Sequence, residues 1–323
     1  MRSVLLSLFL ACGLGLAQAA STKPVYPTKP IRIVVPFTPG SATDIIARIF
    51  APKLLESWGL PVVIDNRPSA GGIVAFQIVA EAAPDGHTLT ATGSNYAGSA
   101  ALYAGKLPYD PVKDFAGITQ VASTPLILVV ASSLGAKTLK ELIAIAKERP
   151  GQLNFGSSGI SSGPHYGAEL FNLTAGIKVV HVPYRGSPEV ITDMIAGRIQ
   201  YFLSPILAAT SMIRSGKVLA LGVTTAQRVP ALPDVPTIAE AALPGFEYEG
   251  WYGFLAPAKT PRKIIDQLAA EIGRIDELPD VRERIAAQGA SAKRSTPEAF
   301  DQLVRDEINT RIKVWKAAGV KAE

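Results

Sequence analysis

The sequence predicts an α/β protein with two domains. Short runs of β-branched residues alternate with segments whose apolar residues recur at helical spacing, which is typical of a largely parallel sheet flanked by helices. The chain has 323 residues, more than one typical domain contains. A strand followed by a tight turn and a helix start occurs near the beginning of the chain and again near its middle. Both domains are therefore expected to share one building principle.

The first of these strand–turn–helix units spans residues 31–48, IRIVVPFTPGSATDIIAR. Its turn is followed by Ser41, Thr43 and Asp44, residue types that cap helices. A helix start offers unpaired N–H groups and the positive end of the helix dipole, so this turn suits an anion without needing an arginine. The alternative is an ordinary capped turn with no ligand. Pro52 is expected to kink or shorten the helix.

Other predicted strands also end in polar residues. Ser94, Asn95 and Tyr96 follow the third strand, and ligands of open α/β sheets gather outside the carboxyl ends of strands. The segment 154–163, NFGSSGISSG, gives the second domain its own strand-end loop and helix start. Two helix starts are thus predicted to hold one ligand from both sides. The next turn, at residues 184–188, carries Arg185, for which a surface position and an electrostatic role near the ligand both stay open.

Two crossings are predicted to join the domains. The apolar segment from residue 115 to residue 130 is interrupted by Ser-Thr-Pro at residues 123–125, where the chain is expected to enter the second domain. The return crossing is placed near residues 246–251. This divides the chain into a first domain of residues 26–124 and 248–323 and a second domain of residues 125–247.

The N-terminus predicts export. A positive start is followed by an apolar stretch, residues 4–16, that is too short to span a bilayer, and then by Ala17-Gln18-Ala19. Residues 1–20 are therefore predicted to be a secretory signal peptide, and the periplasm is the expected location. The single cysteine, Cys12, lies inside this segment. A lipoprotein signal around Cys12 is the alternative, but the residues before it match that signal poorly.

Composition excludes several classes of function. The formal net charge is +5, but no block of five basic residues occurs, which argues against a nucleic-acid or membrane-surface patch. The three histidines are far apart and show no metal-ligand spacing, and the chain after the signal peptide has no cysteine. No nucleotide-binding glycine motif is present. We therefore expect no metal and no cofactor.

One motif predicts an enzyme instead. Residues 159–163, GISSG, match the G-x-S-x-G turn of serine hydrolases between a strand and a helix. A triad in that fold needs an acid and then a histidine after Ser161, and no aspartate lies between Ser161 and His181. An exported serine hydrolase using Ser161 stays the alternative to an anion-binding loop. His165, at the helix start, is either a structural histidine or a residue that reaches the ligand.

Seven segments occur together in a combination typical of one family. They are VPFTPGSATDIIAR (35–48), NRPSAGG (66–72), LPYDPVKDF (107–115), FGSSGISSGPH (155–165), VPYRGSPEVITDMIAGRI (182–199), RVPALPDVPTIAEAALPGFE (228–247) and WYGFLAPAKTP (251–261). By these motifs residues 26–323 resemble the Bug (TctC-like) family, the periplasmic solute-binding receptors of the tripartite tricarboxylate transporter system.

The resemblance implies a two-lobed type II periplasmic binding protein, a Venus-flytrap fold with the ligand in a cleft between the lobes. It implies a non-enzymatic, monomeric receptor that delivers a small carboxylate to membrane permease subunits. The ligand would be held by backbone amides, hydroxyls and waters. The residues expected at the carboxylate are Phe37, Gly40, Ser41, Ala42, Thr43 and Asp44 in the first lobe and Ser157, Ser158 and Gly159 in the second. Further candidates are Ser94, Asn95, Tyr96, His165, Tyr184, Arg185 and Ser204.

The chain departs from the family pattern at three places. Gly40-Ser41 replaces paired glycines, residues 94–97 replace a Thr-His-Ala type sequence, and Ser204 stands where an aspartate is common. The lost acid predicts a ligand without an amine. Tyr96 raises the possibility of an aromatic dicarboxylate such as a phthalate isomer beside the aliphatic di- and tricarboxylates. A ligand sensor that docks to a signalling partner is the alternative to a transport receptor.

Overall fold

The computed structural model of the protein describes residues 26–184 and 186–321, so the predicted signal peptide and Arg185 lie outside the described residues. The strands within them are β1 (Ile31–Val35), β2 (Val62–Asn66), β3 (Thr88–Gly93), β4 (Phe115–Ala131), β5 (Asn154–Ser157), β6 (Val180–Pro183), β7 (Tyr201–Pro205), β8 (Val218–Val223), β9 (Glu249–Pro257) and β10 (Ser291–Ala292).

The α-helices in the same residues are α1 (Ala42–Trp58), α2 (Ile73–Ala80), α3 (Asn95–Leu102), α4 (Leu139–Glu148), α5 (Gly163–Ala175), α6 (Ser187–Ile195), α7 (Ile206–Arg214), α8 (Ile238–Ala241), α9 (Arg262–Asp276), α10 (Pro279–Ala286) and α11 (Pro297–Ala318). In this part of the chain we find no helix with the length and apolar character needed to cross a membrane.

One long strand joins two halves of the sheet. The strand order is β2-β1-β3-β9-β4-β7-β5-β6, with β8 and β10 also paired to β4. Residues 115–125 of β4 pair with β9, and residues 126–131 pair with β7 and β8. The first half of the sheet is thus β1, β2, β3, β9 and the beginning of β4, and the second half is β5 to β8 and the end of β4. Strand β4 changes its neighbouring strands at Pro125, which lies in the segment where the sequence predicted the crossing.

The expectation of a largely parallel sheet is wrong for the middle of the molecule. β1 runs parallel to β2 and β3, and β5 runs parallel to β6 and β7. β9 and β4, however, are antiparallel to their neighbours. The crossing strands carry this antiparallel pairing because the chain leaves the first half along β4 and returns along β9.

Helices cover both faces of each half. Neighbouring residues of a strand point to opposite faces, so Ile33 joins one buried cluster with α1 and α9 while Val34 joins another with α2, α3 and α11. In the second half, Leu128 and Val129 divide in the same way between two further clusters. Each half is therefore a three-layer α/β unit with its own core.

Helix α1 continues through Pro52 to Trp58, so the expected kink or shortening is wrong. Proline removes the bond to the carbonyl of the residue four positions earlier, here Arg48. Both Pro52 and Arg48 are exposed, so water can satisfy that carbonyl. The opposite face is held in the core by Ile49, Phe50 and Leu54, and this burial outweighs the lost backbone bond.

Helix α11 belongs to both halves. Phe300, Val304 and Ile308 lie in a core cluster of the first half, whereas Val314 and Trp315 lie in a cluster of the second half. The domain boundaries predicted from the sequence place all residues from 248 onward in the first domain. These boundaries are still a prediction. The described contacts show that the last turns of α11 contact the second half.

An ion pair with a fully buried arginine and a partly buried glutamate lies where α11 passes between the halves. Arg311 donates to Glu307 Oε1 from Nη2 at 2.6 Å and to the Tyr248 hydroxyl from Nη2 at 3.1 Å. Its guanidinium carbon lies 4.0 Å from the ring centroid of Tyr166 on α5. The indole of Trp251 on β9 donates to the other oxygen of Glu307. This arrangement, the Arg311–Glu307 pair, connects α11 to β9 and to α5.

We predict that Arg311→Ala destabilises the protein by about 3–5 kcal/mol, because it empties the fully buried space of the guanidinium and leaves the partly buried Glu307 without its ionic partner. The double variant Arg311→Met with Glu307→Gln should recover most of this loss, since it removes both charges and keeps a hydrogen-bond acceptor for Trp251. The measurement is the melting temperature and the denaturation midpoint of the two variants. A double variant as unstable as Arg311→Ala would contradict this account.

Candidate ligand-binding site

A cavity of about 390 Å³ opens between the two halves. Its lining includes the starts of three helices, α1, α3 and α5, together with residues of the two crossing strands. Hydroxyl, amide and aromatic side chains predominate, and none of the described lining residues is acidic, basic or histidine. The walls therefore carry polar but uncharged side chains beside a larger apolar surface.

The start of α1 provides one wall. Phe37, Ser41, Ala42 and Thr43 line the cavity as the sequence predicted for ligand contacts. The Ser41 hydroxyl also caps the helix by accepting from the Asp44 N–H at 3.3 Å. This cap orients the first turn of α1 so that its remaining N–H groups point out of the helix end.

Asp44 does not line the cavity and instead fixes the turn from behind. Its carboxylate accepts from the Gly40 N–H at 2.9 Å, from Arg48 Nε at 2.9 Å and from Asn66 Nδ2 at 2.9 Å. Burial alone would raise the pKa of the Asp44 carboxyl, but the bonds from Arg48, Gly40 and Asn66 hold this pKa below its usual value. Gly40 is likewise a support, with φ of +83°, rather than a lining residue.

The start of α3 contributes Ser94 and Asn95 to the lining. Ser94 Oγ accepts from the Trp251 N–H at 2.8 Å, which joins α3 to β9. The Asn95 amide is placed to donate to the Gly93 carbonyl and to accept from the Tyr96 N–H, each at 3.3 Å. The structure thus brings these two predicted residues to the cavity and gives each a backbone partner.

Tyr96 is not brought to the cavity. It is 1% exposed, its hydroxyl donates to the Pro111 carbonyl at 2.6 Å, and its ring lies edge-on to Phe76 with centroids 4.7 Å apart. Residues 94–96 were expected to present their polar groups together at the end of the third strand. They begin a helix instead, and a helix turns successive side chains by about 100°, which sends Tyr96 into the core. Tyr96 therefore gives no support to an aromatic ligand.

The loop before α5 provides the opposite wall. Ser158 and residues 160–164 line the cavity, whereas Ser157 and Gly159 do not. Ser161 has φ of +63°, an uncommon conformation for a residue other than glycine. Its N–H donates to His165 Nδ1 at 3.2 Å, and the Ser162 hydroxyl caps α5 by accepting from the His165 N–H at 3.3 Å. The loop is thus held in place by the first turn of the helix that follows it.

Four aromatic rings support this loop from below. His165 and His181 stack with centroids 3.8 Å apart, Phe155 lies 4.9 Å from His181, and Trp315 lies 4.8 Å from His165. We call these four residues the ring column. His181 Nε2 lies 2.6 Å from the Ser157 hydroxyl. His165 and Ser157 are not among the lining residues and hold the loop from behind, and their predicted contact with the ligand stays a prediction.

The remaining predicted residues lie elsewhere. The Tyr184 hydroxyl donates to Asp193 Oδ2 at 2.6 Å, and the buried Ser204 hydroxyl donates to the Pro205 carbonyl at 2.9 Å. Neither lines the cavity. Across residues 26–184 and 186–321, no group of three or more metal-binding side chains is found.

The crossing strands contribute wall residues that were not predicted from the sequence. Thr124 and Leu126 of β4 and Tyr248, Trp251 and Tyr252 around the start of β9 all line the cavity. The signal was available, because both crossings were predicted at these residues and a cleft between domains must lie beside its crossings. Further lining residues that were not predicted are Gly71, Ser99, Pro205, Gly250 and Gln288.

The family is decided by comparison with known proteins. The model of the tripartite tricarboxylate transporter family receptor, TctC, matches residues 46–320. The chain belongs to this family. The Bordetella pertussis protein BugT is 35% identical over 323 residues, covering 97% of this chain and 98% of BugT. The predicted membership in the Bug (TctC-like) receptors is confirmed, and receptors of this family are periplasmic binding proteins rather than enzymes.

Two solved structures confirm the two-lobed binding-protein fold. The Rhodopseudomonas palustris protein Rpa4515, solved with adipate, is 34% identical, covers 91% of this chain and 98% of its own, and has a TM-score of 0.78. MatC from the same organism, solved with malate, is 33% identical, covers 90% of this chain and 99% of its own, and has a TM-score of 0.75.

Family membership also decides against the serine hydrolase. In the described part of this receptor, no hydrogen bond joins the Ser161 hydroxyl to a histidine, and His165 Nδ1 is occupied by the Ser161 N–H. The G-x-S-x-G turn resembles a nucleophile elbow because both need a serine in an unusual backbone conformation between a strand and a helix. Here that conformation shapes a wall of the cavity.

The ring column predicts a pH dependence of stability. Burial and the neighbouring His165 lower the pKa of His181 from 6.5 to about 3. His181 therefore binds a proton more readily in the unfolded chain than in the folded protein. As the pH falls from about 6.5 towards about 3, the free energy of unfolding decreases by up to about 1.4 kcal/mol per pH unit. His181→Gln should flatten this part of the curve. Melting temperatures of both proteins between pH 7 and pH 4 test it, and parallel curves would refute it.

Proposed function

We propose that the protein is a periplasmic receptor that captures a small carboxylate in the cavity between its lobes and delivers it to a membrane permease of the tripartite tricarboxylate type. The observation that carries the proposal is that α1 and α5, from opposite halves, both begin at the cavity. Each is long enough, at 17 and 13 residues, to bring the positive end of a helix dipole to the ligand.

The chemistry of the walls supports an anion of modest size. The first N–H groups of a helix lack partners within it, and two helix starts facing one space offer donors on both sides of a carboxylate. Ser41, Thr43, Ser158 and Ser162 add hydroxyls. An anion held this way keeps hydrogen bonds without a buried cation, whose own desolvation would be costly. The volume of about 390 Å³ lies in the range of small-molecule sites.

The relatives support the same ligand class. Rpa4515 was solved with adipate and MatC with malate, and both compounds are dicarboxylates. For this receptor we propose a di- or tricarboxylate. An aromatic dicarboxylate is still included in this proposal. Its ring would pack against Phe37, Trp251 and Tyr252, which line the cavity, and not against Tyr96. The proposed lobes are residues 26–124 with 248–323 and residues 125–247.

The ligand class is tested by thermal shift with aliphatic, aromatic and amino carboxylates. A ligand at 100 times its Kd stabilises the folded protein by about 2.7 kcal/mol, a rise of several degrees in melting temperature. We expect such a rise with at least one dicarboxylate and a smaller one with its amino analogue. Absence of any shift at millimolar concentration, in protein that was unfolded and refolded to release bound ligand, would refute carboxylate capture.

The helix start of α5 is tested separately by charge. Ser162→Asp keeps a good N-cap but places a carboxylate beside the ligand, whereas Ser162→Asn keeps the cap without the charge. Like charges about 4 Å apart repel by about 4 kcal/mol at an effective dielectric constant of 20, so Ser162→Asp should weaken binding more than about tenfold. Ser162→Asn should bind within about threefold of the unchanged protein. Titration calorimetry measures both, and equal affinities would contradict an anion at this helix start.

Delivery is tested in cells. Deletion of the gene should abolish uptake of the identified carboxylate and leave expression of the permease subunits unchanged. If uptake persists while a carboxylate-dependent transcriptional response is lost, the protein is a ligand sensor rather than a transport receptor.

A further inference from the structure

Ser161 has a backbone conformation that glycine adopts at lower cost. Among the described residues other than glycine, it is the one with a positive φ, at +63°. An L-residue is strained in this region because its Cβ comes too close to a carbonyl oxygen. Such residues persist where the surrounding structure holds them, and they cluster at ligand-binding sites. The backbone alone favours glycine here, so a serine at this position points to a use for its side chain.

Both backbone groups of Ser161 are directed away from the cavity. Its N–H donates to His165 Nδ1 at 3.2 Å. Its carbonyl oxygen lies against α3, where a Cβ on Gly98 would come within 2.6 Å of it. Neither His165 nor Gly98 lines the cavity, whereas Ser161 does. Ser161 therefore contributes to the lining with its side chain.

The Ser161 hydroxyl can be reached from the cavity. Within the described residues its Oγ makes no hydrogen bond, yet it is not one of the fully enclosed polar atoms without a partner. Ser99 Oγ is such an enclosed atom, and the backbone of Gly71 packs against it. Ser161 as a whole is 6% exposed and belongs to the cavity lining. The small surface that its hydroxyl keeps therefore faces the cavity, where a bound group can contact it.

We propose that Ser161 is a ligand-binding residue whose hydroxyl donates a hydrogen bond to the ligand's carboxylate. This rests on the proposed function, which places the carboxylate at the start of α5, and Ser161 directly precedes Ser162, the N-cap of that helix. The Ser161 N–H is bonded to His165, so the hydroxyl takes its place as a donor to the anion. Hydrogen bonds to a charged acceptor are stronger than those between neutral groups. The strained serine thus presents a donor that glycine lacks.

Two substitutions separate the hydroxyl from the backbone strain. Ser161→Ala removes Oγ and keeps the strained Cβ, whereas Ser161→Gly removes both. Both variants should bind the ligand about tenfold or more weakly, because each loses a hydrogen bond to a charged group. Ser161→Gly should also raise the melting temperature of the unliganded protein by a few degrees, and Ser161→Ala should melt close to the unchanged protein. A residue with only a structural role would not give weaker binding together with a more stable fold.

The measurement is Kd by titration calorimetry, for succinate, glutarate and adipate and for the acid with the largest effect in the thermal-shift panel. Affinity should fall by the same factor for every acid that binds, because the proposed contact is with the carboxylate that they share. Thr92→Val is the matched control. It removes another buried hydroxyl without a partner, but Thr92 does not line the cavity, so affinity should not change.

Three outcomes would overturn the proposal and leave carboxylate capture intact. One is unchanged affinity in both Ser161 variants. Another is a loss in only one of them, since the backbone and not the hydroxyl would then be its cause. The third is a loss that differs between the acids, which would place the hydroxyl at another part of the ligand. Failure of the unchanged protein to bind any carboxylate would instead refute the proposed function, and this inference with it.

Discussion

The Arg311–Glu307 pair is the interaction on which the cavity most depends. Through Arg311 it holds the hydroxyl of Tyr248, and through Glu307 it holds the indole of Trp251. Both aromatic residues line the cavity at the return crossing. The same guanidinium lies over the ring of Tyr166 on α5, whose first turn forms the opposite wall. This one pair thus fixes side chains on both sides of the cavity and connects α11 to each half.

The walls themselves follow from local chemistry. At each of the two helix starts a serine caps the helix, and a buried group behind the turn fixes its backbone: Asp44 for α1 and His165 for α5. The charged and titratable groups thus stand behind the walls, where they hold the backbone, while the surfaces that face the cavity present hydroxyl and amide groups. This division explains why the residues with the strongest chemical signals in the sequence proved to be supports.

The parts of the fold that could be predicted are those encoded by contiguous residues. The strand, turn and helix at residues 31–48 follow from apolar periodicity and capping residues, and the Pro125 crossing follows from an interrupted apolar run. Tyr96 could not be placed, because the helix that begins at Asn95 has no strong capping or periodic signal. The predicted crossings indicated that the cleft lies beside β4 and β9, but which of their side chains face it depends on contacts between segments more than 100 residues apart, which a single sequence does not show.

The capping of α1 and α5 has a consequence for how this family diverges. The N–H groups at a helix start belong to the backbone. Family members could therefore differ in most side chains around the cavity and still offer the same donors to one carboxylate, as proposed for this receptor. In the proposed binding mode, the remainder of the ligand would meet side chains on α3 and the crossing strands, where single substitutions would alter the fit. Relatives at 33% and 34% identity, solved with malate and with adipate, accord with this separation. If the proposed anchor is correct, new ligand specificities can evolve by point mutation around it, without a new fold.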